Sequence, residues 1–221
     1  MSKTAIILGA TGLTGGILLE KLLADTTYSK IKLFSRSSVD VKSDKIEQHL
    51  ISLFQLENYK EDFIGNVVFC CIGTTAAKTK DSAKYKQIDY GIPVKAAKLA
   101  KENNIDTFVV MSSMGADVTS NTFYNQTKGE MERDVLKQKI KNTYILRPSL
   151  IGGNREEFRL GERIGKGIMS ILNPLFVGGL KKYKMIEPEE IASCMQTLAK
   201  SNKDQAIFSS DEIVEIANSS I

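Results

Sequence analysis

The sequence contains a single histidine, His49, among its 221 residues. That scarcity excludes zinc sites built on several histidines, such as the H-E-x-x-H helix motif. A hydrolase with a Ser-His-Asp triad would have to use His49, and the G-x-S-x-G turn that would carry its nucleophile is absent. We therefore interpret His49 as an ordinary, partly exposed residue, and we predict no metal site.

Cysteine is also sparse, since the chain has only Cys70, Cys71 and Cys194. Two adjacent cysteines on a strand point to opposite faces of the sheet, and no C-x-x-C spacing occurs. Free cysteine behaves as a small apolar residue when it is buried. The three cysteines are therefore predicted to be buried core residues in a reducing compartment, rather than a redox or metal centre.

Long hydrophobic runs are missing as well. The N-terminal apolar run at 5–8 is too short for the core of a signal peptide, and no later segment approaches the length of a membrane span. The net charge of +4 comes from scattered lysines without interleaved aromatic residues, which is typical of solvated helix faces. These absences predict a cytoplasmic protein that binds neither membranes nor nucleic acid, and they leave its oligomeric state open.

The chain instead alternates short apolar runs with segments of helical periodicity. Such alternation predicts an α/β fold, a Rossmann-type doubly wound parallel sheet with helices on both faces, in a single domain over residues 1–221. Residues from about 150 to 185 are less periodic and are predicted to form a small C-terminal substrate-side lobe. The predicted strands are 4–8, 31–34, 66–72, 106–112, 143–146 and 206–208, and the predicted helices are 13–24, 59–63, 83–101, 127–140 and 189–200, with 46–54 ambiguous.

Glycines cluster at the first strand-to-helix turn, in the stretch ILGATGLTGG. Gly9, Gly12 and Gly15 follow an apolar strand directly and precede a helical pattern, with the spacing G-x-x-G-x-x-G rather than G-x-G-x-x-G. In a βαβ unit, glycines at this turn let the backbone approach a pyrophosphate and let the helix pack closely on the sheet. A dinucleotide site is therefore predicted here, with a purely structural turn as the alternative.

The end of the second predicted strand bears on which dinucleotide is bound. NAD sites usually place an acidic residue there to bind the ribose hydroxyls. This chain instead reads Ser35-Arg36-Ser37-Ser38, with no acid before Asp40. A guanidinium beside hydroxyls suits a 2′-phosphate. NADP(H) is therefore the predicted cofactor; NAD(H) and a simple surface role for Arg36 are the alternatives.

Tyr124 and Lys128 match the spacing Y-x-x-x-K, which places a phenol and an ammonium one turn apart on a helix. A free phenol has a pKa of about 10, and a nearby cation lowers such a pKa enough to make it a workable acid or base. Tyr28 and Lys32 share the spacing but fall at a turn and a strand start. Tyr124 and Lys128 follow a strand that ends in two serines, and ligands bind at the carboxyl ends of such strands.

Four motifs occur in order along the chain: GATGLTGG, SSMGAD, YNQTK and LRPSLIGG. On these motifs the chain resembles the short-chain dehydrogenase/reductase superfamily, and more narrowly its atypical branch typified by the Tat-interacting-protein oxidoreductase-like proteins. The most specific parts are SSMGADVTSNTFYNQTKGEME and LRPSLIGGNREEFRLGER, and the resemblance covers essentially the whole chain. It implies a Rossmann fold, NADP(H) binding and a Ser-Tyr-Lys constellation.

The resemblance also implies a role for each member of that constellation. Tyr124 would be the general acid that protonates a carbonyl oxygen as hydride arrives from the nicotinamide, and Lys128 would hold the nicotinamide ribose and favour ionisation of the phenol. A serine would orient the carbonyl, with Ser113 preferred over Ser112. The predicted cofactor-binding residues are Gly9, Thr11, Gly12, Leu13, Thr14 and Gly15 at the pyrophosphate, Ser35, Arg36 and Ser37 at the 2′-phosphate, Gly73, Thr74 and Thr75 on the adenosine side, and Tyr124, Lys128, Pro148 and Ser149 at the nicotinamide.

Two positions depart from the pattern of the superfamily. Relatives often carry an acid near the adenine, whereas this chain reads LISL at 50–53. Better-studied members place a catalytic asparagine where this chain reads QIDY, with Asp89. Asp89 has two open interpretations: it relays protons through water, or it only caps local structure.

Three functions remain open at this point. The predicted one is an NADPH-dependent reductase of a small carbonyl compound, and the second is an NADP(H)-binding regulatory or scaffold protein with little catalysis. The third is a sugar-nucleotide epimerase or dehydratase, but such enzymes usually have a larger C-terminal lobe. Arg155, Arg159 and Arg163 alternate with glutamates and are interpreted as a charged surface segment, with a pocket for an anionic substrate as the alternative.

Overall fold

The computed structural model describes residues 2–75, 78–152 and 183–219. Within these residues, parallel strands form one sheet in the order β3-β2-β1-β4-β5-β6-β7. The order reverses between β1 and β4, which is the switch point where doubly wound sheets bind ligands. The strands are β1 Lys3–Leu8, β2 Tyr28–Ser35, β3 Ile46–Leu50, β4 Val67–Cys70, β5 Thr107–Met111, β6 Asn142–Arg147 and β7 Ile207–Ser209.

Helices cover both faces of the sheet, which confirms the predicted Rossmann-type architecture. One hydrophobic core lies between the sheet and α1, α5 and α6, and the other lies between the sheet and the 3₁₀ segment, α3 and α4. Along β1, Ala5 and Ile7 enter the first core while Ile6 and Leu8 enter the second. The helical segments are α1 Leu13–Ala24, a 3₁₀ segment Leu53–Tyr59, α2 Ser82–Lys86, a π-helical turn Gln87–Gly91 (the π turn), α3 Ile92–Glu102, α4 Phe123–Leu136, α5 Pro188–Leu198 and α6 Ser210–Asn218.

Two predicted helices have different bounds in the structure. The segment predicted at 83–101 is interrupted by the π turn just before Pro93, because proline lacks an N–H and its ring crowds the preceding helical turn. The segment predicted at 127–140 begins at Phe123 instead and ends at Leu136. Lys139 then adopts a left-handed φ of 52°, which cannot continue a helix.

Two further differences concern a helical segment that lies elsewhere and a helix that was not predicted. The helix predicted at 59–63 is wrong, since the helical residues there are the 3₁₀ segment Leu53–Tyr59, which buries Leu53 and Leu56. Helix α6 is not predicted at all, although Ser209 and Glu212 form a capping box at its start and that S-x-x-E spacing is visible in the sequence.

The predicted substrate-side lobe, including its three arginines, lies largely outside the described residues. Its two ends are adjacent, because Ile151 pairs with Ile186 in a parallel bridge and the Gly152 N–H donates to the Ile186 carbonyl oxygen at 2.8 Å. Among the described helices, none combines the length and the apolar character needed to cross a membrane.

Candidate functional site

The glycine turn between β1 and α1 is as compact as its sequence suggests. Gly9 has a φ of 91°, and the Gly12 N–H donates to the Gly9 carbonyl oxygen at 3.0 Å. A Cβ on Gly15 would lie 2.1 Å from that same oxygen, so only glycine lets α1 pack this closely on the turn. Gly12 is the N-cap and has no side chain to cap α1. The first N–H groups of α1 are therefore available to an anion.

A cavity of about 500 Å³, here called the cleft, opens at the carboxyl ends of the strands beside this turn. Its position between β1 and β4 is the switch point of the sheet. It is lined by Thr11, Gly12, Leu13, Thr14, Gly15, Cys71, Ile72, Gly73, Thr74, Thr75, Lys78, Asp89, Met111, Ser112, Tyr124, Lys128 and Ile151.

The cleft brings together most of the predicted site residues, from the glycine turn, the loop after β4 and α4. Other residues that line the cleft were not predicted from the sequence. Cys71, Ile72 and Met111 could have been, because they lie at the carboxyl ends of β4 and β5, where ligands bind in such sheets. The predicted residues that do not line the cleft are Gly9, Ser35, Arg36, Ser37, Ser113, Pro148 and Ser149.

Lys128 and Asp89 form an ion pair in the wall of the cleft. The Lys128 Nζ lies 2.8 Å from the Asp89 Oδ1, and the two side chains are only 4% and 1% exposed. Burial disfavours the charged ammonium, but the neighbouring Asp89 carboxylate outweighs it, so the pKa of Lys128 is raised. The Asp89 Oδ2 accepts the N–H of Thr74 at 2.8 Å. Asp89 is therefore held directly against the residue predicted to bind the nicotinamide ribose.

Tyr124 lies one helical turn before Lys128 on α4 and is 41% exposed. Its ring meets the buried Tyr85 ring edge to face, with the ring centroids 6.2 Å apart, and Tyr85 also contacts Phe123. The Tyr85 hydroxyl donates to the Thr74 carbonyl oxygen at 3.4 Å. Burial and the nearby Asp89 raise the pKa of Tyr85, which keeps that phenol protonated. Tyr124 is thus a phenol at the cleft with a fixed aromatic neighbour.

The two serines after β5 differ in their hydrogen bonds. The Ser112 hydroxyl donates to the Glu132 Oε1 at 2.5 Å, and Arg147 binds the same carboxylate through its Nε and terminal nitrogens at 2.5–3.2 Å. Glu132 is the buried centre of this cluster. The Ser113 Oγ is buried, with no hydrogen-bond partner among the described residues.

The end of β2 has the predicted Arg36 exposed, while its neighbour Ser35 is buried. The Ser35 hydroxyl donates to the Ser37 carbonyl oxygen at 2.6 Å, so this hydroxyl shapes the turn. This bond does not involve a ligand. The predicted binding of a 2′-phosphate by the hydroxyls of Ser35 and Ser37 stays a prediction. Arg36 is the cation that remains available at this strand end.

Pro148 and Ser149 serve in loop packing in the structure. The Pro148 carbonyl oxygen accepts the Met114 N–H at 2.9 Å. The Ser149 hydroxyl donates to the Lys184 carbonyl oxygen and accepts from Ser210 at 3.0 Å. Their predicted position at the nicotinamide stays a prediction.

Cys70 and Cys194 are buried free thiols, as predicted, and Cys71 is half-buried at the cleft. The Cys71 Sγ contacts the Met195 Sδ at 3.8 Å. Burial raises the pKa of Cys71, so the thiol stays protonated and uncharged in this part of the wall.

Comparison with known proteins now identifies the family. The profile of the HIM1 family matches residues 29–177. The chain belongs to the HIM1 family. It is 37% identical to the mitochondrial protein FMP52-1 of Scheffersomyces stipitis over 80% of this chain and 76% of that one, and 32% identical to protein HTATIP2 of Rattus norvegicus over 80% and 75%. The resemblance drawn from GATGLTGG, SSMGAD and YNQTK is thereby confirmed.

Solved structures agree on the fold. The UDP-glucose 4-epimerase of Thermotoga maritima matches with a TM-score of 0.71 at 13% identity, covering 98% of this chain and 82% of the epimerase. MoeE5, solved with UDP-glucose and NAD, matches with a TM-score of 0.68 at 13% identity, covering 98% and 81%. At these identities the likeness shows the Rossmann-like fold alone.

The relatives correct one prediction. Several FMP52 proteins that the chain resembles, including that of Candida albicans at 31% identity over 98% of this chain, are named mitochondrial. The expectation of a cytoplasmic protein, which was based on the absence of long apolar runs, is wrong by this comparison. The lengths of the apolar runs in a sequence do not distinguish one compartment of the cell from another.

Proposed function

We propose that the cleft binds NADP(H) and that the protein is an oxidoreductase that reduces a small carbonyl compound. The observation that carries the proposal is the placement of Tyr124 and the buried Lys128 beside the glycine turn, in one cleft at the switch point of the sheet. A structural turn alone would need neither a charged lysine buried beside it nor a phenol above it.

The residues of the cleft fit a dinucleotide. The space that a Cβ on Gly15 would fill is taken by the backbone of the turn, and the uncapped start of α1 offers N–H groups to a pyrophosphate. The Thr14 Oγ1 is buried without a partner among the described residues, which is a polar atom that a bound phosphate could satisfy. The dinucleotide, when bound, supplies the hydride.

Tyr124 would donate its proton to the carbonyl oxygen of the substrate. Lys128 would hold a ribose hydroxyl of the dinucleotide and stabilise the phenolate that Tyr124 leaves behind. Ser113 does not line the cleft, but its buried hydroxyl has no partner among the described residues, so its proton would be free for a carbonyl oxygen bound against it. The Ser112 hydroxyl proton is already committed to Glu132, so Ser112 is the weaker candidate.

The cofactor preference rests on Arg36. It is exposed at the carboxyl end of β2, and the segment has no acid before Asp40 that would repel a 2′-phosphate. The adenine contact is left without an acid, as the LISL sequence indicated.

Carbonyl-dependent oxidation of NADPH by the purified protein tests this function. Tyr124→Phe should retain NADPH binding and lose at least about a hundredfold in turnover, because it removes the proton donor alone. Tyr59→Phe is the matched control, since Tyr59 ends the 3₁₀ segment and does not line the cleft. NADPH binding without turnover of any carbonyl in a broad panel would favour a regulatory or scaffold protein.

The epimerase alternative has the support of the structural neighbours for its fold only. It predicts interconversion of UDP-sugars with no net consumption of the dinucleotide. Incubation with UDP-glucose and NAD, followed by separation of the sugar products, distinguishes it from the reductase.

A further inference from the structure

Asp89 sits in the π turn, and three successive links join α4 to this turn and to Lys86, the last residue of α2. Lys86 pairs with Glu130 at 2.6 Å, Asp89 pairs with Lys128 at 2.8 Å, and the Tyr90 hydroxyl donates to Asp134 at 2.9 Å. The outer two links involve partly exposed side chains, whereas the middle link is fully buried at the cleft. The π turn therefore presents one carboxylate to the inner face of α4 and holds it in place.

The carboxylate of Asp89 joins three elements. Its Oδ1 meets Lys128 on α4, its Oδ2 accepts the Thr74 N–H from the loop after β4, and its backbone belongs to the π turn. Gly73 lies directly against the pair. A Cβ at this position would be 3.5 Å from the Asp89 Oδ1 and 3.9 Å from the Lys128 Nζ, so the absence of a side chain leaves the pair open to the cleft. The Asp89 side chain thus contacts both α4 and the loop after β4, which form two walls of the cleft.

A buried ion pair of this kind is weak support for stability. Desolvation of two charges offsets much of their attraction, and apolar side chains of similar size often stabilise a core as well. The pair also borders an open cleft rather than filling the core. A requirement for a fixed, charged ammonium at the cleft explains the pair better than a requirement for stability.

We propose that Asp89 is a positioning residue that fixes the Lys128 ammonium for the nicotinamide end of the dinucleotide. The inference rests on the proposed function for the identity of the ligand. Asp89 has no proton-relay step in this proposal, because its Oδ2 accepts the Thr74 N–H and its Oδ1 is paired with the Lys128 ammonium. Tyr124 on its own helix and Cys70 on β4 also interact electrostatically with Lys128.

The decisive test compares two probes, NADPH and adenosine 2′,5′-bisphosphate, which lacks the nicotinamide end. In Asp89→Asn the Kd for NADPH should rise about tenfold or more, because the negative charge that holds the Lys128 ammonium is lost, while the Kd for the bisphosphate should stay within about twofold. Asp81→Asn is the matched control: Asp81 accepts the Lys84 N–H at the exposed start of α2, and this variant should change neither Kd. Titration calorimetry measures both constants without turnover.

A double-mutant cycle with Lys128→Gln sharpens the result. If Asp89 acts through Lys128, Asp89→Asn should weaken NADPH binding much less in the Lys128→Gln background than in the wild type. Equal weakening of both probes by Asp89→Asn would show a merely structural role and would overturn the inference. So would unchanged NADPH binding.

A measurement on the wild-type protein covers the case in which Asp89→Asn does not fold. Acetic anhydride labelling with peptide mapping should leave Lys128 unmodified while the exposed Lys98 reacts; equal labelling would overturn the inference. Wild-type protein that binds NADPH but reduces no carbonyl would refute the reductase and leave the positioning role standing. Wild-type protein that binds neither probe would refute both.

Discussion

Two ion pairs lie at opposite ends of the strands, here called the carboxyl edge and the amino edge of the sheet. They use the same residue types in different surroundings. At the carboxyl edge, Asp89 and Lys128 are 1% and 4% exposed and border the cleft. At the amino edge, Asp25 and Lys200 are 8% and 41% exposed and join the C-terminal ends of α1 and α5. Asp25 also accepts from Gln196 and from the Thr27 N–H. The Asp25–Lys200 pair links α1 to α5, whereas the Asp89–Lys128 pair holds the Lys128 ammonium beside the cleft, where a ligand can contact it.

The two edges are expected to contribute differently to the stability of the fold and to nucleotide binding. The amino edge should contribute to folding free energy and leave nucleotide binding unaffected, and the carboxyl edge should do more for binding than for folding. The glycine turn lies at the carboxyl edge but should affect both, because its backbone is the floor of the cleft and a packing surface for α1. Substitutions at both edges test this division.

The largest effect is expected at Gly15. Gly15→Ala forces a Cβ to 2.1 Å from the Gly9 carbonyl oxygen, so the variant should lose about 3 kcal/mol of unfolding free energy and bind no nucleotide. Gly16→Ala is the matched control one residue later, where the nearest contact is an ordinary 3.4 Å, and it should gain about 0.5–1 kcal/mol. Chemical denaturation measures both. Similar stabilities for the two variants would contradict the assigned packing of α1.

The next largest effect is expected at Glu132. Glu132→Gln keeps the shape of the side chain but removes the charge that Arg147 and Ser112 share, and should cost about 2 kcal/mol of stability, less than for a fully buried pair because Arg147 is 32% exposed. Denaturant titration measures the loss. A variant as stable as the wild type would mean that this carboxylate is not the centre of the cluster.

A smaller, pH-dependent effect is expected at Asp25. Burial disfavours its carboxylate, but donation from Lys200, Thr27 and Gln196 prevails and holds the pKa of Asp25 well below its usual range. A depressed pKa stabilises the fold above the unfolded value and loses that contribution as the pH falls below it. Asp25→Asn should therefore cost about 1 kcal/mol at pH 7, since Lys200 is partly solvated.

Melting temperatures of Asp25→Asn and wild type, measured from pH 7 down to about pH 3, check this expectation. The gap between the two proteins should narrow below about pH 4. NADPH binding should be the same for both at pH 7. Weakened binding in Asp25→Asn would break the proposed division between the two edges.

The smallest change in stability is expected at Ser113. Ser113→Ala removes a buried hydroxyl that has no partner among the described residues, so stability should change by less than about 0.5 kcal/mol. Carbonyl reduction should nevertheless fall at least about tenfold if this hydroxyl holds the substrate oxygen. Ser112→Ala is the comparison variant, with a loss of about 1 kcal/mol from its bond to Glu132. Unchanged turnover in Ser113→Ala would remove Ser113 from the mechanism.

The sequence predicted the fold well where the signal is local. The apolar run of β1 is buried on both faces, and the glycines after it form the expected turn. Helix α6 was missed even though its capping box is readable. Tyr28 and Lys32, which share the Y-x-x-x-K spacing, both lie on β2 with Tyr28 fully buried, so they do not share a helix face.

The site was harder to predict, because its key contacts join residues far apart in the sequence. Tyr124 and Lys128 share one helix, so their spacing was sufficient to predict that they lie together. The partner of Lys128 is on the π turn and the partner of Glu132 is on β6, and nothing local to Lys128 or Glu132 indicates either contact. A charged residue in an amphipathic pattern is equally compatible with a solvated face, and only the packed structure distinguishes the two.

The most direct test of the proposed nucleotide site is the binding of NADPH and NADH to the purified protein by titration calorimetry. We expect micromolar binding of NADPH, weaker binding of NADH, and a selective loss of NADPH affinity in Arg36→Ala that is absent in Lys42→Ala, an exposed cation in the segment after β2. Binding of neither nucleotide would contradict the proposed cofactor site. That result would mean that ILGATGLTGG forms only a structural turn, and it would refute the proposed reductase activity.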